Sequence, residues 1–177
     1  MIRALHNRIM MMIARGIARR INDDPGLQLV QLDLQAGETR EKVERIQDYG
    51  FTSVPLPGAE AAAAFVAGNR AHGLIVGIDD RRYRLTGLQG GEVALYTDEG
   101  DKIHFKRGNN IEITTNTLTV NAGKKVRINS PQVEATGDII DNVESNSNTL
   151  SNMRSIFNSH THTGDSGGTT SDPNSTQ

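Results

Sequence analysis

Along the first twenty-one residues the large apolar side chains recur every three or four positions: Ile2, Leu5, Ile9, Met12 or Ile13, and Ile17. Arg3, Arg8, Arg15 and Arg19 fall mostly between them, which predicts an amphipathic helix over residues 1–21. A basic helix of this kind suits a membrane surface, a partner's groove, or packing on its own or a neighbouring subunit, and packing is the expectation. Asn22-Asp23-Asp24-Pro25-Gly26 ends it. From residue 27 the pattern turns to strands. Leu27, Leu29, Leu32 and Leu34 predict a first strand, closed by Ala36-Gly37. A second is expected over residues 43–49, then a connection over 51–57 in which Pro55 and Pro57 argue against a central strand. Residues 61–66 and 73–78 read as two more, although the alanines from Ala61 to Ala64 favour helix by propensity. Four or five short strands in this span predict a small, OB-fold-like barrel.

Beyond Glu92 the pattern becomes regular. Apolar pairs separated by one residue recur as Val93/Leu95, Ile103/Phe105, Ile111/Ile113, Leu118/Val120, Val126/Ile128 and Val133/Ala135, with Ile139 or Ile140 opening a seventh. Turn formers such as Gly108-Asn109-Asn110, Asn121-Ala122-Gly123 and Asn129-Ser130-Pro131 lie between them. Each repeat is a short strand with one apolar face, too small to form a core alone. A meander of hairpins would alternate this way, but it would leave a weakly buried sheet with open edges. Three chains wound round one axis would point every pair into a shared core and pair every edge. The expectation is therefore a trimeric, intertwined β-helix, with passes about 5 Å apart and on the order of 30 Å in all. After Asp141 the pairs give way to Asn and Ser, with Leu150, Met153, Ile156 and Phe157 interspersed. The last residues lack aromatics and large aliphatics, and in a monomer that tail is expected to be disordered.

Composition agrees with burial between copies. Only 36% of the 177 residues are hydrophobic and 4% aromatic, lean for a compact globule. The net charge of -2 suggests neither nucleic-acid nor membrane binding. An OB-like barrel raises oligonucleotide binding, but Tyr49, Phe51, Phe65 and Tyr83 are the only aromatics there to stack bases, so no nucleic-acid partner is expected. Cysteine is absent, which excludes disulfides and thiol chemistry. No apolar run is long enough to span a membrane or serve as an export signal.

The chemistry-bearing stretch is Ser159-His160-Thr161-His162-Thr163-Gly164. In an extended chain, residues two apart face one side, so His160 and His162 would present two imidazoles together. One chain supplies two nitrogens, a poor site; three would supply six, which suits an octahedral transition-metal ion better than tetrahedral zinc. The plainer alternative is a solvated tail that happens to hold two histidines. A third is a two-His, one-carboxylate iron enzyme using Asp165, but that needs a rigid pocket. His6, His72 and His104 are expected on a helix face, in a loop and in the strand region, not as ligands. No nucleophile-base pair, phosphate loop or carboxylate pair is present, so no catalytic residue is expected.

A helix, a small barrel, a strand-turn run and a His-x-His end form a linear plan. In Gly91-Glu92-Val93-Ala94-Leu95-Tyr96, Lys102-Ile103-His104-Phe105, Ile111-Glu112-Ile113 and the His-x-His hexapeptide the chain resembles the Mu-type baseplate spikes of contractile-tailed phages. The resemblance implies a helical anchor at 1–22, an OB-fold-like domain at 23–90, a triple-stranded β-helix shaft at 91–145 and a tip at 146–177. It implies a homotrimer at the virion's tail baseplate, made in the bacterial cytoplasm, contacting hub and tail-tube proteins and pierced through the host outer membrane on contraction. A tailocin or a type VI-like injection machine is the alternative setting. The same resemblance implies one iron ion per trimer at the tip, held by His160 and His162 of each chain. It also associates calcium and chloride with such spikes; Asp138 and Asp141 are the only acids near the end of the shaft that could take calcium.

Overall fold

The computed structural model describes residues 2–24 and 26–177. Met1, the first residue of the expected helix, and Pro25, one of its expected terminators, lie outside the described residues. The chain divides into two compact units, Met1–Thr119 and Val120–Gln177.

The first unit opens with helix α1 (Ile2–Met10) and continues directly into strand β1 (Ile13–Asn22). The helix expected over residues 1–21 is thus confined to its first half, and the barrel begins inside the stretch expected to be anchor. Isoleucines four apart (Ile13, Ile17, Ile21) fit the period of a strand as well as that of a helix. Of the β1 side chains that turn to the core, Ile21 packs there partly buried, and the other two are small: Ala14 packs against the core and Ala18 is fully buried. A search for large apolar residues passes over them. At Gly16 an added Cβ would lie 2.5 Å from the backbone oxygen of Asp33, so β1 and β2 approach there more closely than a side chain permits.

Strands β2 (Gln28–Leu34), β3 (Thr39–Arg45), β4 (Glu60–Phe65) and β5 (Gly73–Asp79) complete a closed barrel in the order β1-β2-β3-β5-β4. All pairings are antiparallel except β3 with β5, a parallel seam of two residue pairs, Glu44↔Leu74 and Arg45↔Ile75. The expected strand over 43–49 is displaced: β3 ends at Arg45, and Ile46 and Tyr49 stand exposed in the connection that follows. Along β2 and β4 every second residue is buried, the signature of strands with one inward face. The alanines of β4 are strand despite their helical propensity, because Ala61 and Ala63 fit a narrow interior that Phe65 of the same strand, Val30 and Leu32 of β2 and Ile75 of β5 fill. Each of those four fully buried side chains contributes about 1.5–3 kcal/mol of burial.

The same unit ends in an antiparallel meander of β6 (Val93–Tyr96), β7 (Lys102–Lys106) and β8 (Asn110–Thr114). Within one chain the first three apolar pairs therefore form the hairpin arrangement. Among the described residues, the stretch 115–137 forms no ladder within the chain, so the later pairs there are not strands of a single-chain sheet. The second unit contains helix α2 (Leu150–Ser159), an isolated bridge Ile140↔Thr149 and another, Thr163↔Thr169.

Candidate functional site

The two histidines sit just past α2, a helix that the Asn- and Ser-rich sequence had concealed. Thr149 caps its start, the hydroxyl oxygen accepting from Asn152 N at 3.1 Å. The Asp138 carboxylate accepts from Ser151 N at 3.2 Å, so two free amides of the first turn are satisfied. The Thr149 hydroxyl above all, helped by the Ser151 and Ile139 amides and by Arg154, holds the Asp138 carboxyl below its usual pKa. Asp141 accepts from Asn146 Nδ2 at 2.7 Å. The acids expected near calcium are thus engaged with the helix start and with a loop amide.

At the other end of α2, His160 has left helical geometry (φ -72°, ψ 145°), as the extended reading requires. Its Nδ1 donates to the Phe157 carbonyl oxygen at 2.6 Å. In the neutral ring that bond places the proton on Nδ1 and leaves the Nε2 lone pair free. The His162 ring stands edge-on to it, centroids 5.0 Å apart. The two imidazoles are together, as the i, i+2 spacing predicts. The residues after them fold back. Thr170 N donates to His162 O and His162 N to Thr170 Oγ1, both at 2.8 Å, and Gly164 N donates to Gly168 O at 2.7 Å. Gln177 N donates to Asn158 Oδ1 at 2.9 Å while Asn158 Nδ2 donates back to Gln177 O at 3.3 Å. Polar hydrogen bonds do here what apolar residues do elsewhere. Among the described residues no group of three or more His, Cys, Asp or Glu gathers in a way that could hold a metal ion within one chain.

The second candidate surface is the face of the three-stranded sheet. Register places Val93, Phe105 and Ile111 in one row and Leu95, Ile103 and Ile113 in the next. All six are exposed, between 37% and 60%. The opposite face is polar yet better covered. Lys106 and Lys102 reach Glu112 at 3.0 and 3.5 Å, and His104 Nε2 meets Glu92 Oε2 at 3.2 Å. His104 is therefore a strand residue, as expected, and it has a carboxylate partner that the sequence did not indicate. Farther along, Leu118, Val120, Val126, Ile128 and Val133 are also exposed. Sequence reasoning found the histidines and the apolar pairs but missed α2. The signal lay in Thr149 as N-cap and in the spacing of Leu150, Met153 and Phe157.

Residues 15–82 match the sequence family described as "Bacteriophage Mu Gp45, N-terminal". Over 178 aligned residues the chain is 38% identical to the baseplate puncturing device gp45 of Escherichia phage Mu, covering 94% of this chain and 90% of that protein. It is 33% identical over 138 residues to the Mu-like prophage FluMu protein gp45 of Haemophilus influenzae, covering 74% of this chain and 75% of that one.

Proposed function

This chain belongs to the bacteriophage Mu gp45 family, and on that premise we propose that it is the baseplate puncturing device of a Mu-like contractile tail. It is the central spike, a structural component of the virion that pierces the host outer membrane as the tail contracts. The observation that carries this reading is the 38% identity to the phage Mu puncturing device along 94% of the chain. Its work is mechanical, and its partners are other baseplate proteins, the hub and tail tube among them.

The closed five-stranded barrel with its short β3–β5 seam has the strand number of an OB fold, and we read it as the collar. Residues 91–145 are the shaft and 146–177 the tip. The shaft works as three intertwined copies. Two rows of three apolar side chains in register, left bare by their own chain, support this, as does a following stretch that carries apolar pairs but no ladder. Copies would cover the first and pair with the second.

The tip residues fit an iron ion shared by the trimer. His160 keeps Nε2 free, His162 stands beside it, and three such pairs make six nitrogens. When bound, the ion would cross-link three chains where little apolar surface is available. Within each chain, the Phe157 carbonyl sets the His160 tautomer and the Thr170 contacts hold the backbone of His162. Asp138 and Asp141 are otherwise engaged, so no role for calcium is built on them, and no residue is assigned to chloride.

Tails assembled with an epitope-tagged copy are expected to carry the label at the baseplate when imaged with gold-conjugated antibody. Label along the sheath, at the head or absent from purified tails would overturn the assignment.

A further inference from the structure

We propose that the apolar face of α2 is a surface on which three copies of this chain meet, and that Phe157 within it positions the imidazoles of His160 and His162. The inference rests on the trimeric reading above. α2 has ten residues, and an isolated helix of that length is marginal in water. Its start is nonetheless built with two caps, Thr149 and Asp138, while none of its residues is buried by its own chain. Something else must cover it. Leu150, Met153 and Phe157 stand at i, i+3 and i+7, the spacing of a coiled-coil seam, with Ile156 at its border. All four are exposed. Arg154 is the helix's single charged residue, and serine and asparagine fill the remaining positions. Such a surface offers little to a partner chosen by charge. A short apolar seam bordered by small polar residues suits copies of itself.

Phe157 joins this seam to the histidines. Its ring centroid lies 5.4 Å from that of His160, and its carbonyl oxygen accepts the His160 Nδ1 proton. The His162 ring follows at 5.0 Å. Fixing Phe157 among three helices therefore fixes where His160 points, and through it where the pair points. One chain brings only two imidazoles to the place, so the site is incomplete without the other copies.

The chain contains no cysteine, so a single introduced one carries a single spin label per copy. In the full-length protein, labels at Met153→Cys are expected to lie closer together than labels at Ser155→Cys, which faces the opposite side. The difference should exceed about 10 Å, the diameter of a helix. Native mass spectra of the same samples report the oligomer independently. A monomer removes the trimeric reading and this inference with it. A trimer in which the two separations are equal or reversed overturns the helical seam alone. Phe157→Leu keeps an apolar residue in the seam and deletes the ring beside His160. Titrated with ferrous ion, that variant is expected to remain trimeric and to bind about tenfold more weakly or worse, as when a group orienting a metal-bound histidine is lost, with Phe157→Tyr restoring affinity. Unchanged affinity in Phe157→Leu, or a wild-type trimer that takes up no ferrous ion, overturns the positioning role.

Discussion

Glu92 gathers three donors on one carboxylate: the amides of Gln89 and Arg107, each at 3.0 Å, and His104 Nε2 at 3.2 Å. The Arg107 amide above all, then that of Gln89, with His104 adding to both, holds its pKa below the usual carboxylate value. A depressed folded-state pKa stabilises the protein above the unfolded value, about 4.3 for glutamate. That contribution is lost as pH falls through the folded value. Glu92→Gln is therefore expected to lower the unfolding temperature near neutral pH and to flatten the decline below pH 5. Melting curves recorded from pH 7 to 3 test this, and parallel profiles for the two proteins would count against it. Gly68 shows the same dependence on a single position from the side of shape. It has φ +72°, and any Cβ there would run into the Arg8 carbonyl, so the turn before β5 and the end of α1 can touch only through glycine.

Among the elements, α2 depends most visibly on its ends. Thr149→Ala removes the cap on Asn152 N and is expected to cost the helix about 1 kcal/mol. Amide exchange at residues 150–153 should then quicken by about fivefold. No change there would mean that the Asp138 carboxylate alone sustains the first turn. Why this helix escaped sequence reading is a matter of composition: serine and asparagine favour turns and caps as readily as helix interiors, so they masked a seam of only four apolar residues. β1 was misread for the opposite reason. Its isoleucines satisfy two periods at once, and two of the three side chains it packs on the core, Ala14 and Ala18, are small and register weakly on any apolar scale. β2 was legible because Leu32 and Leu34 alternate with polar residues, a period with no helical counterpart, whereas β4, a run of alanines, shows its alternation only in burial. The histidine pair was legible because an i, i+2 relation needs nothing but local extension. Its hydrogen bond to Phe157 and the fold-back of residues 163–177 were not, since both depend on a helix end and on contacts as distant as Asn158 with Gln177.

For the whole molecule, the test that bears on shaft and tip together is a native mass spectrum with and without a strong chelator. A trimer carrying one transition-metal ion is expected, with the ion lost and the trimer kept after chelation. A metal-free trimer from the start would leave the histidines as solvated residues, and a monomer would remove the shared core. The two surfaces already described differ in who completes them. The barrel closes its interior with its own side chains, whereas the six in-register residues of β6–β8 find no cover within their chain. Under the trimeric reading that difference becomes one of reaction order. Collapse of the barrel is unimolecular and proceeds at the same pace at any dilution, while covering the sheet waits on encounters between chains and slows as they become scarce. A freshly made chain thus passes through an interval in which one half is finished and the other is still adhesive. How long that interval lasts is set by the local supply of sister chains, so synthesis on neighbouring ribosomes of one message shortens it and dilution prolongs it.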